Sequence, residues 1–145
     1  MEKKENISMN DQNQSPIPGK FACIIGGYFG PSYAVEIDGT GCLTYKAMGK
    51  EYKIRETKKI SPDTKRWSDF WESCDHINIW DWTEKYENPE VLDGYHWIVE
   101  IAYSDNSLVS SGNNEKPVSF DQFLKSVKKL MGTPLRKSGK RKWYS

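Results

Sequence analysis

Asp81, Glu84, Asp93 and His96 fall in one stretch that also holds Trp80, Trp82, Tyr86 and Tyr95. Carboxylates pressed against rings lose water, which raises their pKa, and pairs of such groups carry hydrolytic acid–base chemistry. The same residues suit a second use. Trp and Tyr beside acids make the aromatic–acidic surface that anchors interfaces, and their rings also hold cations or sugar rings. Asp93-Gly94 reads as a turn, while Asp81 and Glu84 read as solvated, so no catalytic residue is assigned. Trp80, Asp81, Trp82, Tyr86, Tyr95 and His96 are instead assigned to binding a protein partner or small ligand. The alternative is a small hydrolase-like enzyme, which needs one pocket joining Asp81, Asp93 and His96.

Other chemistries have weaker footing. Cys74, Asp75 and His76 are adjacent, but neighbours on a strand diverge and cannot converge on one ion, so no metal site is expected. Ser110-Ser111-Gly112-Asn113 lacks the strand–elbow–helix setting of an activated serine. Gly26-Gly27-Tyr28-Phe29-Gly30 runs into Pro31 and a strand rather than a helix N-terminus, which makes it a poor phosphate cradle. No cofactor is implied. Three cysteines without a C-x-x-C pair read as reduced thiols of a cytoplasmic protein. No apolar run approaches the ~20 residues of a membrane span.

Charge is segregated. Residues 61–115 carry twelve acids against three bases, and residues 116–145 carry nine bases against one acid. The basic end, Arg136 to Lys142 followed by Trp143 and Tyr144, gives a third reading, an anionic-polymer binder. The acidic middle would repel such a polymer and counts against it.

The elements that must position these residues follow from periodicity. Phe21–Ile25 suits a buried strand. Tyr33, Val35 and Ile37 alternate with polar or small residues, Asp38-Gly39-Thr40-Gly41 supplies a hairpin turn, and Leu43 and Tyr45 return. Tyr52 and Ile54 indicate a further strand. Ser61-Pro62 predicts a helix start, followed by a stripe at Trp67, Phe70, Trp71 and Cys74. Ile77 and Ile79 then alternate as a short strand, and Tyr86–Glu90 is a loop. Tyr95, Trp97, Val99, Ile101 and Tyr103 form one face of a strand. A turn at Asp105-Asn106 would pair Tyr103 with Leu108 and Ala102 with Val109. Ser119 with Gln122 predicts a capping box and Val118 with Phe123 a hydrophobic staple. Phe120, Phe123, Leu124, Val127, Leu130 and Met131 make the apolar stripe of a last helix, which stops at Gly132 before Pro134.

Two stretches resemble small uncharacterised bacterial domains. One is Phe29-Gly30-Pro31-Ser32-Tyr33 leading into the Asp38-Gly39 hairpin. The other is the sparse pattern Asp93-Gly94, Trp97, Ser111-Gly112-Asn113, Pro117, Phe120, Phe123 and Leu130. Gly30 stands where such domains often carry Cys. The resemblance implies a fold and a bacterial origin, and it supplies no activity.

At 145 residues the chain suits one domain. Residues 1–19 read as a disordered leader, 20–132 as a single domain and 133–145 as a basic tail. The expected class is α+β, an antiparallel β-sheet meander packed against two α-helices. The expected function is non-catalytic binding in the bacterial cytoplasm.

Overall fold

The computed structural model describes residues 15–27, 32–49, 53–90 and 94–132. Residues 1–14 of the expected 1–19 leader, the turn at 28–31, Tyr52, Asp93 and the basic tail lie outside these residues.

Among the described residues seven strands form one sheet: β1 (Lys20–Gly27), β2 (Ser32–Ile37), β3 (Leu43–Met48), β4 (Ile54–Ile60), β5 (Lys85–Glu87), β6 (Tyr95–Tyr103) and β7 (Asn106–Asn113). Their spatial order is β4-β3-β2-β1-β6-β7-β5. Among the described residues two helices, α1 (Thr64–His76) and α2 (Phe120–Met131), complete an α+β fold. It is not a pure meander. β1 to β4 do meander, but β6 pairs with the far side of β1, and β5 runs parallel to β7. β1 is therefore a central strand, paired along both edges.

Alternation places Phe21, Cys23, Ile25, Val35, Tyr45, Trp97, Val99, Ile101 and Leu108 in the core with both helices. The α1 stripe of Trp67, Phe70, Trp71 and Cys74 and the α2 stripe of Phe120, Phe123, Leu124, Val127, Leu130 and Met131 are buried as expected. The other sheet face carries Ala22, Ile24, Glu36, Lys46, Ile98, Glu100 and Val109 by the same alternation. Lys20 and Glu100 pair across it at 3.0 Å.

Several local expectations are corrected. α1 is capped by Asp63, whose carboxylate accepts from the Arg66 N–H at 2.9 Å. An acid satisfies an orphan donor and the positive end of the helix dipole together, which Ser61 could not. After α1, Asn78 takes a left-handed conformation (φ 55°), a region Asn tolerates. The chain reverses into a 3₁₀ turn over Ile79–Asp81, with Ile79 fully buried, so no strand forms there. The expected loop instead contains β5. Its flanks bond to β7, Ser111 N–H to Glu84 O and Asn88 N–H to Asn113 O, both at 3.0 Å.

The β6–β7 turn lies at Ser104-Asp105, with Ser104 supplying the positive φ of 56°. Moving the turn by one residue moves the pairing by two, so Leu108 faces Ile101 and Tyr103 faces Asn106. Side chains keep their faces under such a shift. At α2, neither capping box nor staple forms: Ser119 makes no cap bond, and Val118 is fully exposed. The Ser119 hydroxyl instead accepts the Trp82 indole N–H at 3.1 Å. Gly132 ends α2 at φ 73°, its N–H bonding Lys128 O and Lys129 O.

Candidate ligand-binding surface

The segment from Trp80 to His96 is divided by the fold rather than gathered. Trp82 turns inward, its ring 5.4 Å from Phe123 and 5.9 Å from both Trp97 and Phe120. Tyr86, on β5, lies 5.8 Å from Trp97, and its hydroxyl accepts the Thr83 N–H at 3.0 Å. Tyr95 begins β6 and is half-buried; that burial, then the charges of Glu115 and Asp121, pushes its phenol pKa up. Its backbone is locked to Asn114 by N–H donation to Asn114 Oδ1 (2.9 Å) and by acceptance from Asn114 N–H (2.8 Å).

His96 stands beside Gly26 and Asn113 on the sheet face away from the helices. Asp81 is exposed in the 3₁₀ turn on the helix side. The sheet thus separates Asp81 from His96. Asp93 lies outside the described residues.

Trp80 alone of the tryptophans in this segment joins a surface cluster, with three neighbours that sequence reading did not assign to the site. Trp71 lies flat on Tyr103, with centroids 3.9 Å apart and planes 4° apart. Trp80 stacks near-parallel to Trp71 at 6.4 Å and 21°. Its indole N–H donates to Asp75 Oδ1 at 3.2 Å. Trp71 is buried and donates its own N–H to Pro16 O at 2.6 Å, whereas Trp80 and Tyr103 stay half-exposed and Asp75 exposed. Burial, and secondly the Asp75 charge, pushes the Tyr103 phenol pKa up.

The signal for this cluster was present at helical spacing. Trp71 and Asp75 stand at i and i+4, hence on one side of α1. Tyr103 comes from the end of β6, and no local pattern connects it to them.

No family model matches this chain, and no curated protein is detectably similar to it.

Among the described residues, no three His, Cys, Asp or Glu side chains are grouped to hold a metal. Cys23 is fully buried, and desolvation pushes its thiol up to about 12; burial pushes Cys74 up as well. Cys42 is shifted the other way, chiefly by the Ser61 hydroxyl 2.9 Å from its sulfur and then by Thr40. An open groove of about 480 Å³ runs between the helices, lined by Glu72, His76, Ile77, Gln122, Lys125 and Lys129. Its charges are mixed. Among the described residues no helix is long and apolar enough to cross a membrane.

Proposed function

We propose that this chain is a non-catalytic binding module of the bacterial cytoplasm, recognising a protein or small ligand at the surface around Trp80. One observation carries the reading: Trp80 and Tyr103 present half-exposed rings beside the exposed Asp75, on the rigid support of buried Trp71. Aromatic anchors on a fixed support lose little side-chain freedom on binding, which is why such groups dominate interfaces. The position of Asp81 and His96 on opposite sides of the sheet supports binding over the hydrolase-like alternative. The resemblance to small bacterial domains is part of the same proposal.

The test is capture of a stoichiometric partner by the full-length protein from its native lysate, at low and high salt. Trp80→Ala should abolish capture, while Val118→Ala, at a fully exposed apolar residue, should not. Equal capture by both variants would sink the reading. So would substrate turnover that Asp81→Asn or His96→Gln abolishes in a folded protein.

A further inference from the structure

Asp75 stands at the wrong end of its helix. It precedes the last residue of α1, where the unpaired carbonyls concentrate partial negative charge, and a carboxylate there is unfavourable by itself. Glu72 lies one turn earlier, Asp81 follows in the 3₁₀ turn, and both are exposed. Among the described residues no Lys or Arg forms an ion pair with Asp75. The nearby cations Lys125 and Lys129 line the groove between the helices with Glu72 and His76. Asp75 shares the Trp71 side of α1.

Three sources of the same sign therefore meet at one place. The aromatic faces of Trp80 and Tyr103 are negative by their quadrupoles, the helix end is negative by its dipole, and Asp75 carries a full charge. The Trp80 indole N–H engages one carboxylate oxygen, which fixes the carboxylate and leaves the second oxygen for an incoming donor.

We propose that the group recognised here is the guanidinium of an arginine side chain presented by a protein partner. This rests on reading the Trp80 cluster as the recognition surface. A guanidinium is planar and can stack on an indole while its edge donates to a carboxylate, which a Lys ammonium cannot do. The site is an open surface, and small ligands need enclosure to bury most of their area. A side chain carried on a larger partner does not.

The experiment follows the Trp80 indole N–H resonance of the ¹⁵N-labelled full-length protein, assigned with Trp80→Phe. The probes are acetyl-Gly-Arg-Gly-amide, its Lys counterpart and the uncharged isostere acetyl-Gly-citrulline-Gly-amide. The Arg peptide should shift the resonance saturably, and the citrulline peptide should bind at least about 5-fold more weakly. Asp75→Asn should weaken Arg binding by a similar factor while raising the Tm of the free protein, because it relieves the helix end.

Equal binding of Arg and citrulline peptides, a motionless Trp80 resonance, or an Asp75→Asn variant with full affinity would each overturn the inference. If Trp80-dependent capture survives such a result, the recognition surface stands and only its chemistry falls. An Arg-peptide shift seen only when Lys140, Arg141 and Lys142 are all changed to Gln would give the site to the chain's own basic end, and would overturn the partner assignment.

Discussion

Gly112 has no room for a methyl group. A Cβ there would fall 2.3 Å from the Trp97 indole nitrogen and 2.4 Å from Glu115 O, the two atoms joined by a 2.8 Å hydrogen bond. Gly94 is confined in the same way by the Asn114 side chain, which bonds the Tyr95 N–H. The Gly94, Trp97 and Ser111-Gly112-Asn113 residues thus form a lock that seats one tryptophan on the core. Gly112→Ala should destabilise the protein by about 2 kcal/mol or more through overpacking against a rigid ring and backbone. Gly39→Ala, at a turn position with open space around it, should change stability by no more than about 0.5 kcal/mol. Urea unfolding of the two variants makes the comparison. The pattern itself was legible in the sequence, but its reason was not, because Glu115 and Trp97 meet only across a hairpin.

At the scale of elements, periodicity located both helices and the long strands that supply the buried core, but not β5, whose Tyr86 packs on Trp97. It failed where short polar contacts choose between neighbouring residues. Ser61 and Asp63 both resemble caps, and the structure uses Asp63, leaving Ser61 against Cys42. Asp63→Ala should therefore lower stability by about 1 kcal/mol, while Ser61→Ala should leave α1 intact. Thermal melts monitored by far-ultraviolet circular dichroism decide between them. Ser119 misled for a related reason. It has the residue type of a cap, yet a half-buried indole N–H from Trp82 takes its hydroxyl. The alternation at Ile77 and Ile79 was likewise a false strand signal, since Asn78 between them turns the chain. The cluster around Trp80 was half legible. Trp80 stood out by type, whereas Trp71, Asp75 and Tyr103 come together only through packing of α1 on the end of β6.

The whole molecule holds two thiols in its interior, and this gives its stability a pH dependence on the alkaline side. Cys23, raised from 9.0 to about 12, stays protonated in the fold at pH values where the unfolded chain ionises. Its folded pKa exceeds its unfolded one, and the neutral form is the one buried. Stability is thus intact below about pH 9 and falls as pH rises from there towards 12, because the unfolded state binds fewer protons. The slope is about 1 kcal/mol per pH unit for each such thiol, with Cys74 adding in the same direction. Urea midpoints at pH 8 and pH 10 should differ accordingly, and Cys23→Ala should reduce the difference to the part Cys74 contributes.

The place of β1 in the sheet has one more consequence. Its first neighbour, β2, is a hairpin partner, but its second is β6, with Ile25 opposite Trp97. Some 70 residues of intervening chain must be looped out before that edge closes. The β1–β4 ribbon, the β6–β7 hairpin and α2 are local structures that form quickly, whereas joining them at β1–β6 carries most of the entropy of chain closure. Until then the most apolar strand of the molecule has one bare edge, ready to pair with any other extended chain. The same seam that makes the sheet continuous should therefore be the slow step of its assembly and the point at which a half-made copy would misassociate.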